Sequence, residues 1–396
     1  MRNFFLSSQK TEVIYFDNPA TSFPKPESVL NAMSDCMRHT GGNPGRAGHR
    51  MSMQAGEKIF AARQALAHFF GTTNPMRVIF CSNATDALNL AIQGLLKKDE
   101  HVLTTSMEHN STIRPLRELE KQGHIKLQIL QCSSEGMLSL DDLDQAITKN
   151  TSLLVLNHAS NAFGTVQPLA PIGALCKSKS VPLLVDCAQS AGIVPMDMKK
   201  DNISLLAFSG HKGLYGPTGT GGLIIADDFD HKKIRPLKLG GTGSLSHKIE
   251  QPDFLPDCFE SGTLNVVGIA GLHAGIAFLQ EKGFASIMQH KSEMIAYFLH
   301  QARASIKGFT TYIPDHAIQT GTISFNLEHR TCSEVTGILS DQYNIMSRQG
   351  LHCTPLAHKT IGTFPHGTVR FGFSLFNTKE ECDLAIQSLQ KIADHP

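Results

Sequence analysis

Between Val78 and Ile225 the chain alternates short apolar runs with longer segments of helical periodicity. The runs are Val78-Ile79-Phe80, Val102-Leu103, Leu153 to Leu156, Leu183-Leu184-Val185, Leu205 to Phe208 and Leu223-Ile224-Ile225. Between them Ala84, Ala87, Leu88, Ala91, Ile92 and Leu95 recur at helical spacing, as do Ala55, Ile59, Ala62, Leu66 and Phe69 upstream. This alternation predicts a parallel sheet covered by helices. After Gly240-Gly241-Thr242-Gly243 and the Ser261-Gly262-Thr263 turn, a helical region over roughly 265 to 305 leads into a mixed segment that runs to the C-terminus. The pattern reads as an α/β protein with a large domain over 21–265. A smaller α+β domain takes residues 1–20 and 266–396.

In open parallel sheets, ligands bind outside the carboxyl ends of the strands, so the polar residues after each run are the place to look for a site. Phe80 is followed by Cys81-Ser82-Asn83-Ala84-Thr85, and Leu103 by a segment ending in Glu108-His109. Leu156 is followed by Asn157-His158-Ala159-Ser160-Asn161, Val185 by Asp186-Cys187-Ala188-Gln189, and Phe208 by Ser209-Gly210-His211-Lys212. Asp186 and Lys212 at neighbouring strand ends are the decisive pair. Pyridoxal phosphate (PLP) requires both types of residue: a lysine amine to hold its aldehyde, and a carboxylate to keep its ring nitrogen protonated. A strand that hands over to a helix at Ala84-Thr85 turns backbone N–H groups toward an anion, and Ser209 and His211 add further donors for a phosphate.

Charge narrows the classes. Lys and Arg number 36 against 35 Asp and Glu, so no net field favours nucleic acid or an anionic membrane as a partner. The Phe4-Phe5-Leu6 run is too short for a signal-peptide core, and no apolar span reaches membrane length, so a cytoplasmic location is expected. Nine cysteines, an odd number with no Cys-x-x-Cys pair, argue for free thiols in a reducing compartment and against a disulfide framework or metal site.

In order along nearly the whole chain, the motifs resemble those of the cysteine desulfurases of the class V aminotransferase family, which are fold-type I PLP enzymes. The matching segments are Tyr15-Phe16-Asp17-Asn18-Pro19-Ala20-Thr21, Asn83-Ala84-Thr85-Asp86, Glu108-His109, Asn161-Ala162-Phe163-Gly164 and Val185-Asp186-Cys187-Ala188-Gln189. Further on come Ser209-Gly210-His211-Lys212, Glu260-Ser261-Gly262-Thr263, Arg348-x-Gly-x-x-Cys353-x-Pro355 and Arg370. The resemblance implies a mostly parallel seven-stranded sheet in the large domain. The spacing from Arg348 to Pro355 is similar to that of the branch with a compact cysteine loop.

The same resemblance implies the roles. Lys212 would carry PLP and remove the α-proton, Asp186 would pair with the ring nitrogen, and His109 would stack on the ring and help move protons in catalysis. Gln189 would bond the phenolic oxygen, and Asn161 the ring oxygen or the substrate carboxylate. Ala84, Thr85, Ser209 and His211 would hold the phosphate, joined by Thr263 from the other subunit of a homodimer. Arg370, helped by Arg348, would hold the carboxylate of L-cysteine. Cys353 would attack the substrate sulfur, leaving a persulfide and alanine, and pass sulfur to an acceptor protein. His352 next to Cys353 and Arg348 nearby are both candidates for favouring the thiolate. Three positions depart from the family pattern: Pro19, Asn83 and Thr354. The alternatives are a selenocysteine lyase, another class V aminotransferase or C–S lyase, and a non-catalytic scaffold on the same fold.

Overall fold

The computed structural model describes residues 13–45, 48–313 and 319–394. The Phe4-Phe5-Leu6 run and the first part of the 1–20 segment lie outside the described residues. At the centre is a seven-stranded sheet. From one edge its order is Val78–Cys81, Gly221–Ile225, Leu205–Ser209, Leu183–Asp186, Thr151–Asn157, Glu100–Thr105 and Ile125–Leu130. Six of these strands coincide with the apolar runs. The seventh, Ile125–Leu130, is an edge strand whose Lys126 and Gln128 are exposed, so it carries a period-two pattern and no apolar run.

Along the central strands, alternate residues enter two different cores. Leu154, Leu156, Leu183, Val185, Leu206 and Phe208 join one cluster, while Leu153, Val155, Leu184, Leu205 and Ala207 join the other. That is the period-two geometry of a strand covered on both faces, and each buried Leu, Val or Phe contributes about 1.5–3 kcal/mol. Helix Arg50–Phe70 faces the first core with Ile59, Ala62 and Leu66, and helix Ala84–Leu95 faces the second with Ala87, Leu88 and Ala91.

Gly221–Ile225 runs antiparallel to both of its neighbours. Its beginning therefore lies at the edge where the other strands end, with Gly221 opposite both Cys81 and Ser209. A side chain at Gly221 would meet the Asn83 Cα at 2.6 Å, so glycine lets the Asn83-Ala84-Thr85 turn press against the sheet.

The helical region over 265–305 is two helices, Val266–Lys282 and Phe284–Ser305, separated by Gly283 at φ 74°. The first packs Ile269, Leu272 and Ile276 into the large sheet's core. The second packs Met294, Ile295 and Phe298 into a separate core with Phe325, Phe371 and Phe373. That core backs a four-stranded antiparallel sheet ordered Arg348–Gly350, Thr368–Gly372, Thr322–Leu327 and Phe309–Thr311. The N-terminal Ile14–Tyr15 pairs in parallel with Ile345–Met346, and Phe16 stacks on Phe371, so this segment returns to the C-terminal core. Among the described residues, no helix is long and apolar enough to cross a membrane.

Candidate active site

The strand ends converge on a cavity of about 260 Å³. Asp186, 3% exposed, ends its strand there and accepts from the Ala188 N–H at 2.9 Å. Burial pushes its carboxyl pKa up, opposed by the Ala188 N–H and by Lys212. Lys212 lies three residues beyond the neighbouring strand and faces the same cavity. Burial pulls its pKa down to about 8; Asp186 opposes this, while Arg370 and Arg348 add to it. A carboxyl and an amine are thus held out of water in one pocket, each shifted toward its neutral form.

Ala84, Thr85, His109, Asn161, Gln189, Ser209 and His211 line the same cavity. The Ala84 N–H donates to Ser209 Oγ at 3.1 Å, which joins the donor turn to the lysine strand. Asn83, where the family pattern has glycine, caps the following helix by accepting from the Asp86 N–H at 3.0 Å. Thr85 Oγ1 bonds Ser111 Oγ at 2.7 Å, and Ser111 Oγ lies 2.9 Å from His109 Nδ1. The Ser111 N–H also donates to that Nδ1, so the His109 proton sits on Nε2. Burial, then the charges of Lys212 and Arg348, lower the His109 pKa to about 4, leaving a neutral ring. The backbone carbonyl of His211 accepts from Ser22 N, Thr21 Oγ1 and Lys25 Nζ, which pins the lysine loop to the N-terminal motif. Gln189 donates to the Pro19 carbonyl at 2.9 Å, so Pro19 supplies a backbone contact.

Asn161 connects this pocket to the C-terminal sheet. Its Nδ2 donates to the His352 carbonyl at 2.6 Å, and its own carbonyl accepts from Arg370 Nη1 at 2.9 Å. Arg370 is 1% exposed and pairs with Asp17 Oδ1 at 2.6 Å. Arg348 and Arg370 face each other across an antiparallel ladder, which puts both side chains on one side of the sheet. Arg348 Nη2 lies 3.4 Å from the sulfur of the exposed Cys353. His352 and Cys353 both adopt the left-handed conformation, at φ 50° and 60°. For non-glycine residues that costs about 1–2 kcal/mol each. Three bonds hold the turn: Asn161 to the His352 carbonyl, Asn110 N–H to the Cys353 carbonyl at 2.8 Å, and Thr354 Oγ1 to the Glu108 carbonyl at 3.0 Å. Thr354 is therefore a hydroxyl anchor for the loop. The His352 ring is buried against His358, and burial holds its pKa well below the usual range, so it stands as a neutral group.

The aminotransferase class V family model matches residues 14–384. This chain belongs to the class V aminotransferases. It is 34% identical to a "probable cysteine desulfurase" of Pyrococcus abyssi, covering 96% of this chain and 94% of that one. It is 32% identical to a protein of the same name from Methanothermobacter thermautotrophicus, covering 96% and 94%. The solved structure of a cysteine desulfurase from Thermococcus onnurineus superposes with a TM-score of 0.88 at 31% identity, covering 97% and 95%. The fold is thus that of fold-type I PLP enzymes, as the motifs implied, with the expected mostly parallel seven-stranded sheet.

One sequence-predicted residue stands apart in this class V chain. Thr263 is exposed and accepts from Asn43 Nδ2 at 3.3 Å, in a separate cavity of about 210 Å³ that it shares with Ser82, Lys238 and Asn265. Other residues carry structure to which the motifs assigned no role. Glu108, 1% exposed, accepts from Thr105 Oγ1 at 2.7 Å and from the Asn157 N–H at 2.9 Å, tying two strand ends together. Burial pushes its pKa up to about 8. Glu260 forms a buried ion pair with Arg63 and accepts from the Phe80 N–H at 2.6 Å, anchoring the strand that leads into the donor turn. Glu108, Glu260 and Asp17 all lay inside quoted motifs, and a charged residue within an otherwise small or apolar motif was the signal available.

Proposed function

We propose that this chain is a PLP-dependent cysteine desulfurase that converts L-cysteine to L-alanine and takes the sulfur onto Cys353. The observation that carries the reading is Asn161. It lines the pocket of Lys212 and Asp186, and it binds both the Arg370 guanidinium and the backbone of the cysteine turn. Its buried Oδ1 has no partner, nor do His211 Nδ1 and Arg370 Nε, so the pocket and its rim hold polar groups that a bound ligand would satisfy. These residues, with a buried acid and a half-buried lysine, fit PLP.

PLP, when bound, supplies an aldehyde that captures the substrate amine and a protonated ring that takes up the electron pair left by the departing α-proton. Lys212 holds the cofactor and, with its pKa lowered to about 8, has the basicity to accept the α-proton near neutral pH. Asp186 offers the negative charge that keeps the ring nitrogen protonated. His109, neutral and fixed by Ser111, would cover the ring face. Ala84, Thr85, Ser209 and His211 would donate to the phosphate, and Gln189 to the phenolic oxygen. Arg370, with Arg348, binds the substrate carboxylate. The Cys353 thiolate attacks the substrate sulfur: an S–S bond forms, the C–S bond breaks, and its electron pair stays on the carbon that becomes the alanine methyl group. Arg348 gives the attacking sulfur a neighbouring positive charge.

The proposal includes a homodimer in the cytosol and a sulfur-acceptor protein as partner. Thr263, which lines a different cavity from Lys212, and the exposed Met37, Met51, Met53 and Phe60 on two helices support pairing with a second copy. The deciding experiment is mass spectrometry of the PLP-loaded protein after mixing with L-cysteine, with alanine assayed in the same tube. One added sulfur on Cys353 with matching alanine is expected. Alanine without modified Cys353, or neither product, would reject the reading.

A further inference from the structure

Behind the cysteine turn runs a buried line of polar groups that the proposed reaction does not use. His352 Nε2 lies 3.3 Å from the Arg348 carbonyl, and His352 Nδ1 lies 3.3 Å from His358 Nε2. His358 Nδ1 lies 2.7 Å from Thr363 Oγ1. His352, His358 and Thr363 are 2%, 0% and 6% exposed, so water does not substitute for any of these bonds. The His358 ring also packs on Phe163, two residues beyond Asn161.

One set of protons satisfies every member. The Arg348 carbonyl, which can only accept, takes the His352 Nε2–H; His352 Nδ1 then accepts from His358 Nε2–H, and His358 Nδ1 accepts at 2.7 Å from the Thr363 hydroxyl, whose other acceptor, the His358 carbonyl, is more distant at 3.4 Å. The line therefore has a direction. Each ring must present a lone pair toward Thr363 and a proton toward Arg348. If His358 no longer donates, His352 keeps its Nε2–H on the Arg348 carbonyl, but its buried Nδ1 loses its donor and the ring is no longer held from behind. The loosened ring is the one bonded to the backbone of the residue whose guanidinium touches the Cys353 sulfur, in a turn already held in the left-handed conformation at two successive positions.

We propose that His358, acting through His352, is a positioning residue that holds Arg348 and Cys353 in register for sulfur attack. The inference rests on the reading of Cys353 as the sulfur acceptor and deepens it. His358 touches no reacting atom. It donates to His352 Nδ1 and so holds the ring, and His352 bonds the backbone from which both the cation and the thiol project.

The test uses the PLP-loaded full chain with the variants His358→Phe, His358→Gln, Thr363→Val and Thr363→Ser. Phe keeps a ring against Phe163 but donates nothing, whereas Gln places an amide N–H where Nε2–H was. Kcat and KM for alanine release, the rate of Cys353 alkylation by iodoacetamide, cofactor absorbance and Tm are measured together. His358→Phe is expected to lower kcat by about tenfold or more with KM within about twofold, since a misplacement near 1 Å costs on the order of 10²-fold. Cofactor absorbance is expected to stay unchanged while the alkylation rate changes. His358→Gln should recover most of the rate, Thr363→Val should fall between, and Thr363→Ser should match the parent.

Unaltered kcat in His358→Phe, or His358→Gln as impaired as His358→Phe, would overturn the proposal. A loss of cofactor with a rise in KM would do the same, because it marks a general structural role. If His358→Phe does not fold, the Thr363 pair carries the test through the same readouts, and equal rates in Val and Ser would overturn it. Cys353→Ser separates the two levels: alanine release that survives it rejects the desulfurase reading itself, whereas its loss beside a normal His358→Phe rejects only the positioning role.

Discussion

Arg370 Nη2 and Asp17 Oδ1 meet at 2.6 Å, joining a strand of the C-terminal sheet to a motif 353 positions earlier in the chain. The guanidinium is 1% exposed, its buried Nε has no partner, and Asp17 is its charge partner. Burial pulls the Arg370 pKa down, and Asp17 opposes that shift.

Asp17→Asn should therefore leave a buried cation short of charge. Removing one partner of a fully buried pair costs about 3–5 kcal/mol, and the solvent access of Asp17, 22% exposed, reduces this to about 2 kcal/mol. Denaturant unfolding measures it; a change below about 0.5 kcal/mol would show that the pair holds nothing. Arg370→Ala should raise KM for L-cysteine by about tenfold or more while cofactor absorbance persists, and an unchanged KM would count against carboxylate binding.

Lys212→Ala should abolish the absorbance of lysine-bound PLP and with it alanine formation. A variant that keeps that absorbance would show that another amine holds the cofactor. The fold should survive, because the substitution removes an amine whose burial is unfavourable to its charge.

Glu108 is buried with its carboxyl pKa raised to about 8, so at pH 7 the protonated, neutral form predominates. Glu108→Gln is close to isosteric with that form and should change stability by less than about 1 kcal/mol. Glu108→Ala leaves Thr105 Oγ1 and the Asn157 N–H without their acceptor and opens a cavity, at a cost of about 2–4 kcal/mol. Urea unfolding of the two variants side by side checks this; equal losses would mean that the carboxylate is ionised in the folded state.

His109, His158, His211 and His358 each have a pKa lowered by burial from 6.5 to about 4. The unfolded chain binds more protons than the folded one over this window, so stability is full above pH 6.5 and falls as pH drops through it toward 4. Each such group contributes at most about 1.4 kcal/mol per pH unit. His158 lies outside the cavity and bonds Ser190 Oγ at 2.8 Å, which makes His158→Asn the cleanest probe. Its stability curve between pH 6.5 and 4 should be shallower than the parent's by up to that amount; an identical slope would remove His158 from the set.

The sequence alone determined the strands and the chemistry placed at their ends. A run such as Leu183-Leu184-Val185 reports burial on both faces locally, and Asp186 and Lys212 follow their strands by a few residues. Their meeting is a consequence of sheet order. The resemblance then supplied the C-terminal residues that no periodicity marks, Cys353 and Arg370. Only the tertiary structure decided the rest. Ile125–Leu130 is a strand because it has a neighbour on one side, while its own pattern is polar on the other. Asn161 reaches His352 and Arg370 across 191 and 209 positions, and Arg370 reaches Asp17 across 353. Sequence proximity set His352 beside Cys353, but backbone φ angles of 50° and 60° turn the histidine into the core and the thiol out to solvent. Local pattern records how much of a residue is buried; which groups it meets there depends on how distant segments return, and that is settled only when the two cores pack together.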